Sequence, residues 1–304
     1  MARAAQYGST GGPEVLEIAE IADPALGDGQ VVIRVAAAGL NPFDAKQRIG
    51  FIPSDAPFPR RIGSDVAGTV IAVGEGAVYG DGTPVQVGDE IFGRAAGSAA
   101  EVAVAEAKSI ARRPAGLPVE VAGSLNVAGL TAVSVLTTVP IDADDTVLVG
   151  GAAGAVGLVA AQLAVAAGAT VIGTASARNH ELLRSLGVVP VAYGDGLADR
   201  IRAAGDVTAV YDCHGRDALD AGVALGVAPE RMVAIAAYDA IEELGVLDVE
   251  RAVRTPENLL RLGERIVAGE IVFPVAQTFP LDKIVAAFET LESSHEPGKI
   301  VVIP

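Results

Sequence analysis

The sequence predicts an α/β protein: an open parallel sheet with helices wound on both faces, joined to an all-β, barrel-like unit. Three observations predict it. From Asp144 onward, apolar runs opening at Thr146, Thr170, Val188, Val207 and Met232 alternate with helical patterns from Gly154, Arg178, Leu197 and Asp217. That is the order of a parallel sheet with right-handed crossovers. Before Asp144, short strand-like runs follow one another between turn signals. After Ile271 the tail returns to strand, helix, strand up to Pro304.

The early strands are Val15 to Ile18, Val31 to Ala36, Asp65 to Val73, Glu90 to Phe92 and Ala100 to Val104. Gly11-Gly-Pro13, Asp28-Gly29, Gly80-Asp-Gly82 and Val87-Gly-Asp89 separate them, and such clusters turn the chain. Helical pattern begins near Pro118. Thr255-Pro256-Glu257 reads as a cap and first turn of a further helix.

The stretch Val147 to Gly157 carries the most chemistry. Its apolar run stops at glycines, a small-residue helix follows, and a second apolar run, Thr170 to Gly173, comes next. In that setting a glycine-rich loop implies dinucleotide binding. Gly151 allows a tight turn, Gly154 lets backbone approach a pyrophosphate, and Gly157 lets the helix lie close to the sheet. Ala152 stands where the strict fingerprint has glycine. The N–H groups around Ala152, Ala155 and Val156, with the positive end of the helix, are expected to face the phosphates.

No charged residue occurs between Asp145 and Arg178, which imitates a membrane span. Five glycines from Gly150 to Gly168 and the change of pattern argue instead for a parallel strand buried on both faces. Met1 to Tyr7 shows no apolar signal segment. A soluble, cytoplasmic protein is expected. At 304 residues the chain suits two domains. Its net charge of −16, from 38 acidic and 22 basic residues, disfavours nucleic acid and anionic membrane as partners. Cys213 is the single cysteine, so no internal disulfide or multi-cysteine zinc site is available. It reads as a small hydrophobe, and after the fourth strand of the sheet it is counted on the cofactor side.

Several short motifs, taken in order, resemble the zinc-free quinone oxidoreductase branch of the medium-chain dehydrogenase/reductase superfamily. They are Gly12-Pro-Glu-Val-Leu16, Ala37-Ala-Gly-Leu-Asn-Pro-Phe-Asp44, Ile62-Gly-Ser-Asp-Val-Ala-Gly-Thr-Val70, Val87-Gly-Asp-Glu-Ile-Phe92, Ala128-Gly-Leu-Thr-Ala132, the glycine loop and Pro297-Gly-Lys-Ile-Val301. The resemblance runs nearly end to end. It implies a GroES-like catalytic domain from residues 1–120 and 268–304 around a Rossmann domain at 121–267. It also implies NADPH-dependent reduction of quinones or activated alkenes, and a homodimer. Lys299, in the last motif, is expected on the cofactor side.

An NAD site usually ends its second strand with a carboxylate that holds the ribose. Here that stretch is Gly173-Thr-Ala-Ser-Ala-Arg178. Thr174 and Ser176 can donate hydrogen bonds and Arg178 can pair with a 2′-phosphate. The resemblance adds Tyr193 beside that phosphate, and NADPH is the expected cofactor. Zinc-dependent relatives use cysteine and histidine ligands, where the matching positions are Asn41 and Ser64, next to Asp65. His180, His214 and His295 fall elsewhere, so no metal is expected. His180 reads as a surface residue, His214 as a loop residue near the cofactor, and His295 as structural.

Without zinc, hydride transfer to a conjugated acceptor asks mainly for positioning. Asn41 is the candidate contact to nicotinamide or to the substrate carbonyl, held extended by Pro42. Thr131 is expected at the nicotinamide end. Asp44 is read as an anchor behind them; as a general acid it would need a raised pKa. Lys46 reads as solvated. Many relatives carry a tyrosine where Phe51 stands, so Phe51 removes a proton donor; Phe51, Ile52 and Phe58 are expected over a flat substrate. Tyr238, after the fifth strand, is a further residue for the nicotinamide side. Two other functions fit the same features: an enoyl or tailoring reductase of a biosynthetic pathway, and an NADPH-binding structural or sensor protein with little turnover.

Overall fold

Strand periodicity of two shapes the first part of the chain. In the computed structural model, which describes residues 1–22, 24–293 and 296–304, it forms β1 (Ala2–Tyr7), β2 (Leu16–Ile21), β3 (Gln30–Gly39), α1 (Pro42–Arg48), β4 (Arg60–Arg61), β5 (Asp65–Val73), β6 (Glu90–Arg94), β7 (Val102–Glu106) and β8 (Ile110–Arg112). His295 lies outside the described residues. Val31, Ile33 and Val35 of β3 alternate into one core with Val66, Val70, Ile91 and Ile110. Helix α2 (Val119–Thr138) follows this unit and packs on it through Ala122, Leu125 and Ala128 against Ala67 and Phe92.

The alternating region follows as β9 (Thr146–Gly150), α3 (Ala155–Ala166), β10 (Thr170–Thr174), α4 (His180–Ser185), β11 (Val188–Val191), α5 (Leu197–Ala204), β12 (Ala209–Asp212), α6 (Asp217–Ala224), β13 (Met232–Ala234), α7 (Tyr238–Leu244), β14 (Leu247–Asp248) and α8 (Pro256–Val267). The chain then returns through β15 (Val275–Pro280), α9 (Ile284–Ser293) and β16 (Lys299–Ile303).

Six strands make one sheet in the order β11-β10-β9-β12-β13-β14, all neighbours parallel. This is the doubly wound Rossmann order, which reverses direction between β9 and β12 and opens a crevice at their carboxyl ends. Both faces are buried. Val147 and Val149 pack on one side and Leu148 on the other, which explains the uninterrupted apolar runs. β12 starts at Ala209, two residues after the expected Val207; just before it Thr208 donates its N–H to the Thr146 carbonyl and its hydroxyl to Asp145. Thr255 caps α8 as expected, its side chain accepting from the Asn258 N–H.

The second large sheet runs β15-β16-β3-β5-β6-β8, with β7 also on β3. β16 pairs antiparallel with β3 through Val301↔Gly39 and Val302↔Ala38, so the end of the chain completes the β-rich unit. Helix α2 is long and apolar enough to cross a membrane, yet 67% of its most apolar window is buried inside the fold. It packs against β3, β5, α3 and α8, and Leu125, Leu130, Val159, Leu259 and Leu262 share one core there.

Candidate active site

The glycine loop sits at the reversal point of the parallel sheet. Gly151 has φ +66°, a conformation that disfavours a side chain. A Cβ there would also lie 2.5 Å from the Cβ of His214. The Gly154 N–H returns to the Gly151 carbonyl at 2.9 Å. A Cβ on Gly154 would meet only that carbonyl oxygen, at 3.3 Å, and otherwise point into open space. The N–H groups of Ala155, Val156 and Gly157 open α3 and have no intrahelical acceptors. Gly157 has a different role from the expected approach of helix to sheet. Its Cβ would stand 2.3 Å from the Gly151 carbonyl oxygen and 2.9 Å from Ala152 Cα, so glycine lets the helix rest on the loop's own backbone. A dinucleotide's phosphates fit this cradle of free donors and missing side chains.

At the end of β10, Thr174 is buried and braces the loop. Its hydroxyl accepts the Gly151 N–H at 2.9 Å and its carbonyl accepts the Ala152 N–H at 2.9 Å. Thr174 thus supports the loop that is expected to hold the cofactor. Ser176 accepts from Asn179 Nδ2 at 3.3 Å and keeps its own O–H. Arg178 is exposed, and among the described residues it shows no hydrogen bond or ion pair. Tyr193 stands 5.8 Å from the His214 ring. Burial pushes its phenol up, opposed by a hydrogen bond with Thr174. Cys213 is tied to the loop by its N–H on the Gly150 carbonyl at 3.2 Å, and burial pushes its thiol well up.

Asp212, which the sequence reading missed, organises the neighbouring loops. It is fully buried at the end of β12. One carboxylate oxygen accepts the N–H groups of His214 and Gly215 at 2.9 and 2.6 Å. The other accepts those of Ala236 and Ala237 at 3.0 and 2.9 Å. A carboxylate closing an otherwise apolar run was its signal.

A buried polar cluster on the β-rich side includes Asn41, Asp44, Ser64, Asp65, Asn126 and Lys299. The Asn41 side chain donates to Asp65 at 3.1 Å and to the Gly39 carbonyl at 3.4 Å, and its oxygen accepts from Lys299 at 2.5 Å. Lys299 also donates to the Leu40 carbonyl at 2.7 Å and lies 3.8 Å from Asp65. This ammonium is enclosed behind Asn41, which corrects the expectation of Lys299 on the cofactor. Asp44 accepts the Asn41 N–H at 2.9 Å and the Ser64 hydroxyl at 2.7 Å. Burial is the main force raising Asp44 to about 6, and Asp65 nearby adds to it. Asp65 is likewise pushed up by burial, against the pull of Lys299 and its hydrogen bonds; burial pulls Lys299 down.

Thr131 is buried in α2, one turn after Val127, whose N–H donates to Asp65 at 2.9 Å. Phe58 packs its ring edge-on to Tyr7 at 5.9 Å and under the Arg60 guanidinium.

The positions matched to zinc ligands do not suit that ion. Asn41 and Ser64 offer a neutral amide and a hydroxyl, and Asn41 and Asp65 turn their oxygens to the Lys299 ammonium. Zinc requires convergent thiolate, imidazole or carboxylate donors, and the described residues contain no such group of three.

A glycine cradle at the reversal point of a Rossmann sheet, in a chain that also carries a buried polar cluster, is the architecture of a nucleotide-dependent oxidoreductase. The comparisons give the family. Residues 27–140 match a family model described as alcohol dehydrogenase GroES-like domain, and residues 186–302 one described as zinc-binding dehydrogenase. The chain is 32% identical to an NADPH-dependent alkenal/one oxidoreductase of Arabidopsis thaliana, covering 98% of this chain and 78% of that protein. It is 29% identical to a quinone oxidoreductase of Pseudomonas aeruginosa over the full length of both. The structure of Escherichia coli quinone oxidoreductase complexed with NADPH aligns over all of both chains with a TM-score of 0.86 at 28% identity. The chain belongs to the quinone oxidoreductase branch of the medium-chain dehydrogenase/reductase superfamily.

Proposed function

We propose that this protein is an NADPH-dependent reductase of quinones or α,β-unsaturated carbonyl compounds that works without a metal. One observation carries the reading: the dinucleotide cradle shares its fold with a polar cluster whose central cation is the Lys299 ammonium. Bound NADPH would supply a hydride. The loop Gly151, Ala152, Gly154 and Gly157, with the opening N–H groups of α3 at Ala155 and Val156, holds the phosphates. Arg178 and Ser176 take the 2′-phosphate, with Tyr193 and Cys213 lining the site and Thr174 bracing the loop from below. Asn41 and Thr131 orient the nicotinamide end. Asp44 and Lys299 fix Asn41, and one lone pair of its side-chain oxygen remains to accept a hydrogen bond.

Residues 1–120 and 268–304 form the catalytic domain of this reading and 121–267 the nucleotide domain. A cytoplasmic homodimer completes it, supported by β14 at an edge of the parallel sheet, since edge strands offer unpaired backbone groups. The net charge of −16 argues against nucleic acid as a partner. The test is NADPH consumption by purified, chelator-treated protein against panels of quinones and enones. Turnover should survive chelation, and simple primary alcohols should not be oxidised, because no Lewis acid lowers their pKa. Chelator-sensitive alcohol oxidation would overturn the reading.

A further inference from the structure

Two arginines reach α2 from different parts of the chain. Arg94 closes β6 directly opposite Asp65 of β5, and Phe92 stands opposite Ala67. Residues opposite each other in an antiparallel pair share one face of the sheet. Ala67 and Phe92 pack with Leu125 and Ala128 of α2, and Asp65 accepts from Asn126 and from the Val127 N–H. Helix α2 therefore covers that face, and Arg94 lies on it. Arg254 comes from the segment between β14 and α8. Its Nε donates to the Ser134 hydroxyl, further along α2, at 3.0 Å. Burial pulls the Arg254 guanidinium down, the positive charges of Arg251 and Arg94 add to this, and Asp248 and Tyr238 oppose it. Arg254 is thus within electrostatic reach of both Arg94 and Tyr238.

Among the described residues neither arginine forms an ion pair. The Arg94 side chain makes no hydrogen bond there, and Arg254 makes only the one to Ser134. Their neighbour Arg251 is spent on Asp248 at 2.8 Å. Unpaired arginines are notable in a chain with 38 acidic and 22 basic residues. Two guanidinium groups near one another repel, and an anion between them relieves that repulsion. Both side chains are exposed, so a ligand can reach them. Arg94 adjoins Asp65, which accepts from the Asn41 side chain at 3.1 Å.

We propose that Arg94 and Arg254 form an anion subsite that takes a carboxylate carried by the acceptor. The proposal rests on the reductase reading above. Its preferred acceptors are then enones or quinones with an acidic substituent. The planar guanidinium fork suits a carboxylate and fixes its direction. The overall negative charge of the chain disfavours an acidic molecule at long range, and the arginine pair offsets this locally. The carboxylate is unchanged by the reaction, so the pair acts on binding rather than on the hydride step. In the domain division of that reading, Arg94 belongs to the catalytic unit and Arg254 to the nucleotide unit. One bound anion would tie the two together.

Two acceptors test this: trans-4-oxo-4-phenylbut-2-enoate and its methyl ester, which share the enone and differ in charge. Arg94→Gln and Arg254→Gln should each lower the acid-to-ester ratio of kcat/KM about tenfold, the loss of one charge-assisted hydrogen bond. Most of that loss should fall in KM for the acid. Arg254→Lys keeps the charge without the fork and should recover part of it. Added potassium chloride should raise KM for the acid more than for the ester. A second measurement needs no turnover and no cofactor: calorimetric titration of the protein with the saturated acid, 4-oxo-4-phenylbutanoate. Wild type should bind it about tenfold more tightly than either glutamine variant, with urea unfolding showing that each variant is folded. An acid-to-ester ratio and an acid affinity unchanged in both variants overturn the subsite, as does a wild type that does not bind the saturated acid. If wild type reduces no acceptor, the reductase reading fails by itself, and the calorimetry still decides for or against the arginine pair.

Discussion

Removing the Asp212 carboxylate should loosen two loops at once. In Asp212→Ala, the N–H groups of His214, Gly215, Ala236 and Ala237 lose their acceptor. A hydrogen bond to a charged group contributes ~1.5–3 kcal/mol, and a buried donor left unpaired costs ~1–3 kcal/mol. Only the Ala237 donor is fully buried, and the other three are part-buried, so water recovers part of the loss. The expected destabilisation is ~3–5 kcal/mol, a large share of the ~5–15 kcal/mol that holds a typical protein folded. Asp212→Asn is the sharper perturbation. Its amide oxygen can keep one pair of N–H groups, while its NH2 faces the other pair. It should cost ~2–3 kcal/mol. Urea unfolding gives both values. NADPH titration at a temperature where each variant is folded gives the functional half. Affinity should fall in both, because His214 packs against Gly151 and Tyr238 follows the second loop. If Asp212→Ala costs less than ~1 kcal/mol and binds NADPH like wild type, the loops are held by something else.

Two further outcomes follow from the same geometry. Arg178→Ala should weaken NADPH about tenfold or more while leaving NADH nearly unchanged, since a charge-assisted phosphate contact contributes ~1.5–3 kcal/mol; equal losses in a fluorescence titration of both cofactors contradict the assignment. Asp44 is raised from 3.8 to about 6, so its proton favours the folded state. That stability is present below pH 3.8 and is lost as pH rises through 6, to a limit of about 3 kcal/mol. Asp65 shifts the same way, so Asp44→Asn should flatten only part of the stability profile between pH 4 and 6, and an unchanged profile from urea unfolding counts against a buried, proton-binding Asp44.

Local pattern revealed much of the fold. The runs at Thr146, Thr170, Val188 and Met232 are strands, because a strand buried on both faces must be apolar throughout. Thr255-Pro256 caps a helix because its chemistry is local. The elements that escaped notice depend on distant partners. β1 reads Ala-Arg-Ala-Ala-Gln-Tyr, with no strand preference, and exists through its register with β2. Helix α7 is seven residues of mixed polarity, held at its start by Asp212. Gly151, Gly154 and Gly157 were legible as a loop, but Gly157's clash with the Gly151 carbonyl depends on the folded turn. Thr174 and Lys299 were found as polar residues near the right motifs. Which group each one meets was not visible, because their partners lie on other segments.

Lys299 shows why that information is absent from spacing along the chain. Its partner Asn41 is 258 residues away. The two meet because β16 pairs antiparallel with β3 as Val301↔Gly39 and Val302↔Ala38, and the Leu40 N–H extends the ladder to the Ile300 carbonyl at 2.9 Å. Continuing that register sets Lys299 opposite Asn41. A slip of one residue would turn every β16 side chain to the other face, burying a lysine among apolar neighbours and leaving Asp65 without its nearby cation. The ladder is held in place from both sides: Ile300 and Val302 pack into the core with Leu40 and Phe288, while Lys299 meets Leu40 and Asn41. The apolar pattern of the last strand thus determines where the buried cation falls. That cation in turn fixes Asn41 and the start of α1.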